Sequence, residues 1–381
     1  MRALPWTIAL LLLLPLGLNA GQIPGEVGDP PRTFSHFLNA REAALCRASA
    51  ATGGVESFFL NPACASTVRE VSGQATVRLV STSRDDASVG GEDADASDGA
   101  FLMPQIVAMK RSGNWVLGFA YSAPVSRDLE IEGTIGSGSG QETYEGRFQG
   151  GLRYFETVLA TRVGKGGRGG FGIAVGFANL SESVREVVGE SLDSADVGGT
   201  SSSLAAGFVY EASDRVTLGA GYRWGSNIDV EGEWYGQQGA TGRTKTQPVT
   251  VAGITVRPND HAALHACYTV DGWNEAESSL SAYGEDDGRR DEFGEAVATA
   301  AAGAEASFMR DRLWLRAGGS MRLEPEEMDG GLPQWSAGVG CSYAFTGYSV
   351  DAAVVRERCE LDGGGGRIAS YGAYLTVSYD F

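Results

Sequence analysis

From Gln74 to the C-terminus the chain consists of short segments in which large apolar residues alternate with small or polar ones. Trp115, Leu117, Phe119 and Tyr121 share one face, against Val116, Gly118, Ala120 and Ser122 on the other. Val216, Leu218, Ala220, Tyr222 and Trp224 repeat the pattern against Thr217, Gly219, Gly221 and Arg223. A period of two is that of a strand with two unlike faces. Two folds satisfy it: a soluble sandwich, which buries the apolar face, and a membrane barrel, which turns that face to lipid.

Length and punctuation favour the barrel. The segments run to roughly ten residues, as a tilted strand crossing a bilayer requires. They centre near Val77, Val107, Phe119, Phe155, Ile173, Ala206, Leu218, Val230, Val251, Leu264, Ala302, Leu315, Val339, Val350 and Leu375. Bacterial single-chain barrels have even strand numbers, so the Val230 segment is set aside as a loop extension, leaving about fourteen strands. Tight turns at 111–114, 212–215 and 257–260 alternate with long stretches at 84–99, 128–150, 181–202, 236–247 and 274–294. Short turns on one rim and long loops on the other are the habit of outer-membrane barrels.

The N-terminus fits export. Arg2, an apolar run from Ile8 to Leu18 and the small residues at Asn19-Ala20 read as a secretory signal over 1–20. No other apolar run reaches the ~20 residues of a spanning helix, and mean hydropathy is −0.12. A barrel, half of whose residues face lipid and half the lumen, has such a value. Gly is abundant, at 55 residues, alongside 7 Trp, 13 Tyr and 15 Phe; that aromatic content separates the chain from disordered Gly-rich sequences. The net charge of −18 excludes nucleic acid as a partner.

One stretch reads differently from the strands. Between Phe37 and Ser66 the chain is rich in Ala and small residues and ends in Phe58-Phe59-Leu60-Asn61-Pro62-Ala63, where Asn-Pro signals a turn. Ala43 and Ala44, Gly53 and Gly54, then Ser57, Phe58, Phe59, Asn61, Pro62 and Ala63 resemble the N-terminal region of the FadL-like outer-membrane channels for long-chain fatty acids and hydrocarbons, and of the related PorV-type barrels. Cys64 stands where that family usually has Gly. The resemblance extends over the strand pattern to the aromatic terminus, where Leu375, Val377, Tyr379 and Phe381 share a face, like the terminal strand that barrel-assembly machinery recognises.

The resemblance implies an all-β fold: a transmembrane antiparallel barrel over 71–381 in the outer membrane of a Gram-negative bacterium, with a partly helical N-terminal plug over 21–70 in its lumen. Helix is expected from Ala40 to Ala50. It further implies passive uptake of hydrophobic small molecules gated by the plug, with Phe58, Phe59, Asn61, Pro62 and Ala63 lining or latching the path. The alternative is a PorV-like barrel that holds protein partners and transports nothing. Val184, Val187, Val188 and Leu192 recur at helical spacing behind Ser181 as a possible cap, and resemble the family's helical loops that hold a first hydrophobic site.

Little else suggests chemistry. The chain has no Gly-x-Ser-x-Gly elbow and no His-Glu-x-x-His, and its three His are His36, His261 and His265. His261, His265 and Cys267 share a strand face, but along it His261 lies about 13 Å from His265 and His265 about 7 Å from Cys267, so His261 is too far to share an ion with Cys267. Acidic runs at Asp85-Asp86 with Glu92-Asp93, and at Glu285-Asp286-Asp287, read as solvated loop surface. No enzyme, cofactor or metal is expected. The five Cys leave two pairings open, Cys46 with Cys64 and Cys341 with Cys359, beside a third reading in which all are packing residues.

Overall fold

The computed structural model describes residues 38–84, 88–89, 92–135, 142–188, 191–234, 237–246, 248–271, 277–281, 291–292, 297–323, 335–360 and 367–380. The signal segment, Phe37, Asp85-Asp86, Glu285-Asp286-Asp287 and Phe381 lie outside them.

Fourteen antiparallel strands close into a barrel. In chain order they are β1 (Val71–Arg84), β2 (Glu92–Ser112), β3 (Trp115–Ile135), β4 (Glu142–Val163), β5 (Gly169–Val188) and β6 (Ser191–Ser213). Then come β7 (Val216–Arg223, continued by Asn227–Trp234), β8 (Gln237–Lys245, continued by Val249–Asn259), β9 (Ala262–Asp271), β10 (Val297–Phe308) and β11 (Leu313–Leu323). β12 (Trp335–Ala344), β13 (Tyr348–Glu360) and β14 (Arg367–Asp380) complete the wall. Closure runs from Ser72 opposite Asp380 to Arg84 opposite Ile368, so the wall has no free edge.

Val230 lies on the second half of β7, paired with β6 and with the first half of β8. It is therefore a continuation of the Leu218 strand, carried past a break at Trp224-Gly225-Ser226, and adds no strand to the count. The period-2 faces resolve as lipid outside: Phe119 is 65% exposed and Phe177 61%, whereas Val116 and Val158 between their neighbours are fully buried. No helix among the described residues is long and apolar enough to cross a membrane.

Two expectations about the long connections are corrected. Residues 128–150 and 181–202 are mostly strand: Asp128 pairs with Gln149, and Ser181 with Gly198. β2 to β6 each run 20 to 23 residues, about twice what a bilayer needs, so paired hairpins carry on past the membrane. The helix expected at 181–192 is absent for the same reason. Val187 faces Leu192 and Val184 faces Ala195 across a β5–β6 ladder that already satisfies their backbone groups. The hairpin reproduces an i, i+3, i+4, i+8 apolar spacing without any helix.

At the opposite rim the connections are tight, and backbone bonds join each to the next. Arg111 N donates to Glu70, Arg162 N to Asn114, Glu211 N to Arg168, Arg257 N to Arg215, Ser307 N to His261, and Ala344 N to Arg312, at 2.7 to 3.3 Å. The six turns thus form one annulus.

Candidate functional site in the lumen

Residues 38–68 lie against the inner wall. They open with a short helix α1 (Ala40–Ala44), whose start is held from both sides: Asn39 Oδ1 accepts from Glu42 N at 2.9 Å, and Glu42 Oε2 accepts from Leu38 N at 2.8 Å. Helix was expected to Ala50, but Cys46 and Arg47 take φ of 48° and 68°. Left-handed residues end an α-helix, and turns carry the chain along the curved wall instead. Gly53 and Gly54, at φ 79° and 86°, reverse it.

The Asn-Pro element opens a turn of helix where a plain stop was expected. Asn61 is extended and caps a 3-10 helix (Pro62–Thr67), with Pro62 at its first position, where a missing N–H costs nothing. The Asn61 side chain is saturated: Oδ1 accepts from Ala63 N at 3.1 Å, and Nδ2 donates to Ala50 O at 2.9 Å and to Phe208 O of β6 at 3.0 Å. Cys64, in place of the family's Gly, sits within this helix and is not among the residues of positive φ. Cys46 and Cys64 are free and buried, and Cys341 is free and exposed. Cys341 pairs across to Ala352, seven residues from Cys359, about 23 Å along a strand. Neither disulfide reading holds.

The wall meets this segment with glycine. A Cβ on Gly338 of β12 would strike Ala43 O, one on Gly318 of β11 the Leu45 backbone, and one on Gly219 of β7 Ala50 O. Gly221 answers Leu60 O, and Gly172 of β5 the Pro62 and Ala63 backbone. Main chain lies on main chain halfway round the barrel, a close approach that only residues without side chains allow.

Two charge clusters fix the contact. Arg41 bridges Glu56 at 2.6 Å and Glu305 of β10 at 2.7 Å; Arg316 of β11 joins Glu305 at 3.1 Å and Asp351 of β13 at 2.7 Å. His265 Nδ1 lies 2.9 Å from Thr255 Oγ1, and its Nε2 3.3 Å from Glu305; His261 is at the rim, apart from both His265 and Cys267. In the second cluster, Arg223 of β7 donates to both oxygens of Glu156 of β4, at 2.5 and 3.0 Å, while Ser203 donates to Glu156 Oε1. The same guanidinium lies 4.0 Å from the Phe59 ring centroid and 4.7 Å from that of Tyr154.

Of the five residues expected in the path, Asn61, Pro62 and Ala63 are held on β5 to β7. Phe58 is fully buried among Val55, Val107, Met109, Val116, Ala120 and Val158. Phe59 is only partly buried and packs on a second cluster of Leu152, Tyr154, Ala178, Ile228 and Val230, with Leu180 beside it. Val184, Val187, Val188 and Leu192 stand on the β5–β6 hairpin and are not brought to this site.

Beside that second cluster the wall is interrupted. β2–β3 pairing stops at Asp98 with Leu129 and resumes at Gln105 with Ser122. Six residues of each strand are left unpaired with the other, a gap about 20 Å long. Each strand bulges against its other neighbour at the same level, near Pro104 and Pro124; proline has no N–H to give a ladder. Across the β3–β4 bulge Ser122 pairs with Tyr154 and Val125 with Leu152, so two members of the apolar cluster flank the gap.

No family model and no curated protein matches the sequence. Solved structures do. A Pseudomonas aeruginosa FadL homologue superimposes with TM-score 0.68 at 16% identity, over 91% of this chain and 99% of its own. The fold is that of the FadL-like outer-membrane channels. The Ralstonia pickettii toluene transporter TbuX (TM-score 0.64, 15% identity, 91% and 100% covered) and the Pseudomonas putida toluene transporter TodX (0.64, 13%, 90% and 98%) share it.

Proposed function

We propose that this FadL-like barrel is a passive outer-membrane channel for small uncharged hydrophobic molecules, with residues 38–68 as its gate. The observation that carries the reading is the apolar cluster around Phe59, which adjoins the interrupted β2–β3 ladder through Leu152 and Tyr154. A greasy solute entering from outside finds apolar side chains above the plug and, beside them, a stretch of wall without strand pairing through which to leave toward lipid. The related solved structures include toluene transporters, consistent with this class of cargo. Charge narrows it further. The cation nearest the cluster, Arg223, is already neutralised by Glu156, which disfavours a carboxylate cargo there.

Full-length protein reconstituted into liposomes should accelerate entry of a labelled alkylbenzene well above that of a labelled fatty-acid anion. Deleting 58–63, or combining Asn61→Ala with Pro62→Ala, should raise flux and single-channel conductance with the barrel still folded. Wild-type flux no greater than that of empty liposomes would sink the reading and favour a PorV-like barrel that binds protein partners without transport. Unchanged flux in the variants alone would remove the gate and keep the channel.

A further inference from the structure

The chain carries 30 basic against 48 acidic residues, but their balance differs between the two rims. The long connections hold acidic runs such as Asp85-Asp86 and Glu285-Asp286-Asp287. The short-turn rim is the opposite. Arg69, Lys110, Arg168, Arg215, Arg310 and Arg312 are all exposed there, and the backbone bonds between successive turns set them on one annulus.

The carboxylates at this rim leave most of that charge uncompensated. Asp214 pairs with Arg168 at 3.3 Å, and Asp311 is taken by Ser307 and His261. Glu211 pairs with Arg162 at 3.7 Å; Glu70 and Asp260 are the other acids nearby, and among the described residues no ion pair joins them to Arg69, Lys110, Arg215, Arg310 or Arg312. At the annulus the wall presents exposed rings and apolar groups to lipid: Trp115 (53%) at the start of β3, and Phe308, Met309, Phe345 and Tyr348 at the two turns that flank β11 and β12. Aromatic girdles mark the headgroup level of a barrel, and long cationic side chains beside one reach headgroups while their stems lie on apolar surface.

We propose that the short-turn rim is a docking surface for anionic phospholipid headgroups of the periplasmic leaflet. Its cations lie at headgroup depth, point away from the lumen or lie in turns, and face a leaflet made of phospholipid, whose anionic members complement them. A soluble protein partner would need a face clear of the girdle; these side chains are continuous with it.

The test uses the full chain folded into phosphatidylcholine vesicles containing phosphatidylglycerol, extracted gently and weighed intact by mass spectrometry. The variant Arg69→Gln, Lys110→Gln, Arg215→Gln, Arg310→Gln, Arg312→Gln should retain about fivefold less phosphatidylglycerol than wild type, with wild-type retention falling as salt rises. Arg185→Gln, on the β5–β6 hairpin at the other end, should retain it as wild type does. If the fivefold variant fails to fold, Lys110→Gln with Arg310→Gln carries the same test with a smaller loss. Undiminished retention in a folded rim variant overturns the proposal, and so does an equal loss in Arg185→Gln.

Discussion

The guanidinium of Arg223 stands 4.0 Å from the centroid of the Phe59 ring, and its Nη2 donates to the Phe59 carbonyl at 3.2 Å. A cation of the wall thus holds both the ring and the backbone of one lumenal residue. Replacing Phe59 by Ala removes an interaction of about 2 kcal/mol where the cation is desolvated, and with it the edge contact to Tyr154. The open state should become roughly thirtyfold more populated, seen as more frequent single-channel openings, and Phe59→Leu should fall between. Equal open probability in all three proteins would show that Phe59 latches nothing.

Glu156 and Arg223 should behave as a unit. Arg223→Met leaves Glu156 charged and enclosed, at a cost of about 3–5 kcal/mol, whereas Glu156→Gln with Arg223→Met leaves no orphan charge and should recover most of that. Urea unfolding of the barrels in lipid vesicles measures both. A double variant no more stable than the single would mean that the pair is solvated in the lumen.

At Gly172 the Pro62 and Ala63 backbone occupies the place of a Cβ. Gly172→Val should therefore push the 3-10 helix off the wall while β5 keeps its pairing with β4 and β6. Conductance should rise several-fold, as in a gate lifted at one end, with normal heat-shifted migration on gels. Loss of the folded band would show instead that wall and plug cannot be separated at this strand.

Cys46 and Cys64 report on the same opening. Burial pushes the Cys64 thiol up to about 12 and that of Cys46 to about 11, against about 8.5 for a free thiol. A raised thiol pKa means less thiolate at every pH below it. In a background with the other three Cys changed to Ser, maleimide labelling at pH 8 should be at least about a hundredfold slower than in urea, and should keep climbing above pH 9, where a free thiol levels off. Lifting the plug with Gly172→Val should restore reactivity. Fast labelling of the closed wild type would contradict the buried setting.

Much of the fold is legible because lipid enforces a strict two-residue period on every strand. The fourteen centres from Val77 to Leu375, without Val230, each fall within one strand of the wall. The extent of β2 to β6 was hidden, since beyond the membrane neither face is obliged to be apolar and backbone pairing needs no side-chain pattern to continue. Periodicity misled at Val184 to Leu192 because a tight hairpin and a helix can share one spacing. The lumenal charges left a trace: Arg223 falls on the small-residue face with Thr217, Gly219 and Gly221, where a large cation is out of character. Its partner Glu156 lies 67 residues away, and no local pattern connects them. Pro104 and Pro124 could have marked the β2–β3 gap, since proline inside a central strand denies the ladder a donor.

The helix α1 of the lumenal segment hangs from the place where the barrel closes. Ala40 N donates to Thr376 Oγ1 at 2.9 Å, and Thr376 shares a hydrogen bond with Thr76 across the β1–β14 pair, also at 2.9 Å. That receptor for α1 is assembled from the first strand and the last, so it does not exist until the final segment of the chain has joined the first. The seam and the anchor of α1 are therefore completed in one event, and a chain that stalls short of its last strand is an open ring with nowhere to fasten its lumenal segment.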